Sequence, residues 1–185
     1  MTVYSTEIDR EIITEALGHS KQRMNYEYDR FKLPESSRMN MVLIGTIGQL
    51  IFRKFLNKNN IEHSFEYQAG KYDNYDFKIK NEIFEIKTSG FDREFQFLNL
   101  LYSQDQYENG LRKNFNYCVQ IFINGYEKHH KKINLNKCNK AYIAGIINYK
   151  DIINYRNKRE FLGDDFKVPL NKLIDIKKVL SIKDF

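Results

Sequence analysis

Asp76, Glu85 and Lys87 are the residues whose types and spacing could do chemistry. Two carboxylates and an ammonium on one surface can hold a hard divalent cation and position a water. Mg2+ takes oxygen ligands and binds through one or two carboxylates, with a substrate phosphate completing the shell. A lysine beside it can orient or deprotonate the water and offset charge that builds on the phosphate. The three residues lie within Tyr75–Thr88, where apolar and charged residues alternate on either side of Asn81-Glu82. That alternation predicts two strands of a hairpin. Successive side chains leave a strand on opposite faces. With Asn81 and Glu82 as a two-residue turn, Phe77 falls opposite Ile86 and Asp76 opposite Lys87. Phe77, Ile79, Phe84 and Ile86 then share one face, and Asp76, Glu85 and Lys87 converge on the other. Asp73 rivals Asp76, although its parity puts it on the apolar face. A hairpin with a solvated charged face would also alternate acid and base, with a surface ion pair that stabilises little. The acid nine residues ahead of Glu85 is the feature that such a hairpin does not require.

The elements that must position these residues follow from periodicity. Ser5-Thr6-Glu7 offers helix-capping groups, and Ile8, Ile12, Ile13, Ala16 and Leu17 form a stripe at helical spacing. Lys21 to Lys32 continues it as a basic, aromatic-studded arm until Leu33-Pro34-Glu35-Ser36-Ser37 breaks the pattern. A second helix is predicted from Arg38 to Lys58, with Ile44, Ile47, Ile51 and Phe55 on its core stripe. Gly45 and Gly48 permit close approach to a neighbouring sheet. Asn59-Asn60 ends that helix, and Ile61 to Tyr67 reads as a strand leading into the hairpin. After the apolar run Phe95 to Tyr102, Ser103 and Gln106 form a capping box that starts a helix running to about Lys113. Tyr117 to Asn124 alternates as a central strand, and Ala141 to Ile147 as another. A helix from Asp151 to Arg159 and a strand with a turn over Phe166–Leu173 close the chain.

The acid on one strand, Glu-x-Lys on the next and a helix ahead of the strand meander resemble the PD-(D/E)XK, or restriction-endonuclease-like, nucleases. Tyr75 stands where the family name has proline. The resemblance covers about Arg38 to Leu173 and implies an α/β fold: a central mixed β-sheet of four or five strands flanked by α-helices. An additional N-terminal helix in residues 1–37 would extend a nuclease-like core at 38–175 within one domain. It further implies Mg2+-dependent phosphodiester hydrolysis, with Mn2+ able to substitute and DNA as the expected nucleic acid partner; a homodimer is compatible with it. Asp76 and Glu85 would ligate the metal, and Lys87 would position the water or stabilise the transition state. The helix ahead of the hairpin often carries a glutamate in the family, within a phrase like Gly-x-x-Gly-Glu. This chain has Gly45-Thr46-Ile47-Gly48-Gln49. Gln49 can hydrogen-bond a metal-bound water or ligate through its carbonyl, but it brings no charge. That departure also fits a nucleic-acid-binding protein that keeps the fold without cleavage. A polar residue at the start of the later helix lies near bound phosphates in many members, which makes Gln104 and Gln106 candidates.

With 185 residues the chain suits one domain with a sizeable core. A net charge of +6 and a pI of about 9.1 favour polyanionic partners. Abundant Ile, Asn, Lys and Tyr fit an AT-rich genome, which raises basicity by itself. Cys118 and Cys138 have no metal-like spacing and read as thiols in a reducing compartment. His129-His130 sits in a lysine-rich loop without a third ligand, so it reads as surface suited to a phosphate backbone. No signal peptide and no apolar run approaching a membrane span are visible, so the expected location is cytoplasmic.

Overall fold

The computed structural model describes residues 3–24, 34–65, 75–92, 98–156 and 166–181. The chain runs through strand β1 (Tyr4–Glu7), helices α1 (Arg10–Met24) and α2 (Glu35–Lys58), and strands β2 (Ser64–Phe65), β3 (Phe77–Ile79) and β4 (Glu82–Gly90). Then come β5 (Asn99–Tyr102), α3 (Gln104–Arg112), β6 (Tyr117–Ile123), β7 (Tyr126–Glu127), β8 (Lys132–Ile133) and β9 (Lys140–Asn148). A 3-10 segment (Tyr149–Tyr155), β10 (Phe166–Pro169) and the short helix α4 (Lys178–Ser181) follow.

The α/β architecture is as expected, but the mixed sheet has six strands, in the order β1-β9-β6-β4-β3-β2. Only β4 and β6 pair in parallel; the other neighbours are antiparallel. A parallel pair needs a crossover, and the stretch carrying β5 and α3 supplies it. The strands alternate, so each face of the sheet builds its own core. Phe77, Phe84, Ile86, Val119 and Ile121 pack with α1 and α2 on one side. Cys118, Phe122, Ala144 and Ile147 pack on the other side with Leu100, Tyr102, Tyr107 and Val168.

Helix α2 is the central buttress. Its stripe Ile44, Ile47, Ile51 and Phe55 is buried, as are Leu50, Phe52 and Leu56. Gly48 is where α2 comes nearest the sheet: a Cβ there would lie 1.8 Å from Thr88 Oγ1. Gly45, read from sequence in the same way, faces open space. The expectation that no apolar run approaches a membrane span is corrected here: by length and composition α2 is apolar enough to cross one, and most of its apolar stretch is buried within the fold.

Four further sequence expectations need correction. The segment from Ser5 does not start the first helix: Tyr4–Glu7 pairs with β9 as an edge strand of the main sheet, and α1 begins at Arg10. Asp9 does the capping, accepting the Ile12 N–H at 2.9 Å. The helix expected from Asp151 is a 3-10 segment opened by Asn148, whose side chain accepts the Lys150 N–H. Phe166–Pro169 pairs with β5 in a separate two-stranded sheet rather than closing the main one. The loop 125–140 contains a small hairpin, β7 with β8. The capping box holds, with Ser103 and Gln106 bonded reciprocally. The arm from Asn25 to Leu33, the end of the Ile61–Tyr67 strand, Asp73 and the start of the Phe95 run lie outside the described residues.

Candidate active site

The hairpin turns at Lys80 and Asn81, one residue earlier than the pattern suggested. Lys80 adopts a φ of 53° there, and Phe77 pairs with Phe84 and Ile79 with Glu82. Phe77 therefore sits two positions from its expected partner Ile86. An even slip leaves every side chain on its original face. Phe77, Ile79, Phe84 and Ile86 remain together in the core beneath α2.

Asp76 immediately precedes β3 and is held by two donors. Gln49 Nε2 donates to its Oδ1 at 2.6 Å, and the Ile86 N–H donates to its Oδ2 at 2.6 Å. Gln49 in turn accepts from Arg23 Nη1 at 3.2 Å through its Oε1. A guanidinium can only donate and a carboxylate only accept, so these neighbours fix the orientation of the Gln49 amide. Gln49, 5% exposed, therefore links α1 to Asp76. Its carbonyl oxygen is turned to Arg23. Burial raises the Asp76 carboxyl to about 6; the Ile86 N–H opposes that rise and the negative charge of Glu85 adds to it.

Glu85 and Lys87 leave β4 on the same face and meet at 2.8 Å, both mostly buried. Tyr102, at the end of β5, contacts both. Its hydroxyl donates to Glu85 Oε2, and its ring faces the Lys87 ammonium at 4.5 Å from the centroid. The same hydroxyl lies 3.3 Å from Cys118 Sγ on β6. Burial works against the Lys87 charge, but Glu85 and, more weakly, Asp76 outweigh it, so the ammonium titrates above its ordinary range. Burial pushes the Tyr102 hydroxyl and the Cys118 thiol well up, which keeps both protonated near neutral pH.

The structure thus couples Asp76, Glu85 and Lys87 electrostatically at the hairpin, with Gln49 bonded to Asp76. It does not bring Gln104 or the histidines into this set by any described bond. Gln104 Nε2 bonds Glu108 at 2.6 Å, Gln106 serves the cap, and His129 and His130 are exposed. Tyr102 and Arg23 were missed in the sequence. Tyr102 closes an apolar run, and nothing local marks its hydroxyl as a partner of Glu85. Arg23 belongs to a basic stretch whose residues look alike until α1 is laid on α2.

No protein-family model, curated protein or solved structure matches the chain. The donor set itself fits a hard cation. Asp76 and Glu85 offer four carboxylate oxygens, each with a lone pair beyond the hydrogen bonds it already accepts. Among the described residues no three of His, Cys, Asp and Glu gather into a metal-holding group. Among those residues such an ion would find two carboxylates, Asp76 and Glu85.

Proposed function

We propose that the chain is a divalent-metal-dependent nuclease of the restriction-endonuclease-like class, hydrolysing phosphodiester bonds in DNA. The observation that carries this reading is the joining of Asp76, Glu85 and Lys87 on neighbouring strands, with Lys87 ion-paired to Glu85. Helix α2 ahead of the β2–β3–β4 meander, with Glu-x-Lys on β4, supports the fold assignment. The charge of +6 supports a polyanionic substrate.

Asp76 and Glu85 would hold Mg2+ or Mn2+. A divalent cation held by these two carboxylates would supply positive charge for the scissile phosphate and Lewis acidity for the attacking water. Lys87 stays protonated at neutral pH, so it serves as a fixed positive charge and hydrogen-bond donor to the water or phosphate rather than as a base. Gln49 and the Ile86 N–H orient Asp76. Tyr102 orients Glu85 and lies against the Lys87 ammonium, so one ring fixes both ends of Glu-x-Lys.

The test is cleavage of supercoiled, linear, single-stranded and branched DNA in Mg2+ or Mn2+, compared with Asp76→Ala, Glu85→Ala and Lys87→Ala. Loss of turnover in all three, with Lys87→Ala still binding Mn2+, is expected. Full activity in Lys87→Ala, or cleavage that survives chelation, sinks the proposal. A second reading, a nucleic-acid-binding protein that has lost cleavage, is favoured by Gln49 and by both Glu85 oxygens already having partners. Salt-dependent DNA binding without metal-dependent cleavage would select it.

A further inference from the structure

Gln120 stands in the middle of β6, between Val119 and Ile121, and is 1% exposed. Its Nε2 donates to the Ile121 carbonyl at 2.8 Å, where the pairing of β6 with β9 shifts register. That bond fixes the amide: the acceptor end is Oε1, and among the described residues Oε1 has no hydrogen-bond partner. A buried acceptor without a donor is destabilising and uncommon in folded proteins, so it calls for a cause.

The register supplies one. In the parallel pairing of β4 with β6, Glu85 is the partner of Cys118 and Lys87 is the partner of Gln120. Neighbouring strands lie about 4.8 Å apart, and registered partners leave the sheet on the same face. Lys87 has three N–H donors on a flexible four-carbon stem. Its named contacts are Glu85 at 2.8 Å and the Tyr102 ring.

We propose that Gln120 Oε1 is a standby acceptor for Lys87, which receives the ammonium whenever Glu85 gives up its negative charge to another partner. The occasion for that exchange rests on the function proposed above, since a cation at Glu85 repels the ammonium. The exchange itself does not depend on it. Without Gln120 a displaced ammonium would stay buried with fewer acceptors, and that cost would oppose engagement of Glu85. A neutral amide suits the role better than an acid, because a carboxylate at 120 would hold Lys87 permanently. Gln120 is then a positioning residue acting through Lys87.

A thermal-denaturation cycle on the whole chain tests this without metal or substrate. Glu85→Gln removes the carboxylate charge, and Gln120→Met removes the acceptor with little change of shape. Gln120→Met should lower the melting midpoint by about 4 °C more in the Glu85→Gln protein than in the wild type. Adding Lys87→Met to both backgrounds should erase the difference. Equal shifts in the two backgrounds overturn the proposal. A double variant that folds only when Lys87→Met is added is the same coupling in stronger form, and one that stays unfolded with it overturns the idea. Calorimetry with Mn2+ gives an independent readout: Gln120→Met should weaken binding about tenfold with Lys87 present and leave it unchanged in Lys87→Met. An equal loss in both also overturns it. A chain that binds no Mn2+ yet keeps the stability coupling retains the exchange and loses the nuclease reading.

Discussion

Because burial raises the Asp76 carboxyl from 3.8 to about 6, the folded protein binds a proton more tightly there than the unfolded chain does. Between about pH 4 and pH 6 the folded state keeps that proton while the unfolded chain has released it. Stability contributed by Asp76 is therefore full below that window, falls as pH rises through it, and stays lower above. The difference amounts to about 3 kcal/mol. Urea denaturation at a series of pH values checks this: Asp76→Ala should flatten the fall between pH 4 and 6, and an unchanged slope would assign the titration elsewhere. On the proposed metal-dependent function the same carboxyl must be ionised to hold a cation, and Mn2+ affinity should then drop about tenfold per pH unit below pH 6. At this scale the chain was half legible. Alternation alone assigned Asp76, Glu85 and Lys87 to a shared face. It could not reveal that Gln49 turns its carbonyl to Arg23, nor that Tyr102 reaches Glu85, because both contacts join segments far apart in sequence.

Among the elements, α2 and β4 are set by a single missing side chain. Gly48→Ala would push a methyl into Thr88, with contacts of 1.8 Å to Oγ1 and 2.8 Å to Cβ. The helix must then lift from the sheet, at a cost of about 1–3 kcal/mol. Because α2 carries Gln49, the bond to Asp76 should loosen with it. Thr88→Ala takes away the nearest clash and a buried hydroxyl that has no partner among the described residues, so the double variant should recover part of the loss in urea midpoint. Strictly additive losses would mean that Gly48 matters for another reason. Sequence patterns placed α2, α3, β4, β6 and β9 well, because each has long or strongly alternating periodicity. They failed at Tyr4–Glu7, four residues too few to display a period, whose strand character comes from pairing with β9. At β10 they gave the strand and the turn after it but not the pairing with β5, because a strand's partner cannot be read from its own residues.

At the scale of the whole molecule the charge is unevenly spread. Residues 125–140 hold five lysines and one glutamate, so they carry +4 of the chain's +6. The small hairpin within them is fixed to α2 by Asn40, which accepts the Ile133 N–H at 2.7 Å and donates to the Lys131 carbonyl at 3.2 Å. Its basic tip is thus presented on a braced support. If the chain acts on DNA as proposed, converting Lys128, Lys131 and Lys132 to Gln should weaken DNA binding alike for every sequence and reduce the salt slope of log K by up to about three. An unchanged slope would place the phosphate contacts elsewhere. The edge strand β1 carries a consequence of another kind. Tyr4 meets Ile143 and Glu7 meets Lys140. On a ribosome adding about 5–20 residues per second, the first strand leaves the exit tunnel on the order of ten seconds before its partner exists. Early in that interval, until β4 and β6 have been made, α2 has no sheet to cover its apolar stripe. A nascent chain stalled short of β4 should therefore be a chaperone client and protease-sensitive, and the acid–lysine cluster would come together once β4 and β5 have been made.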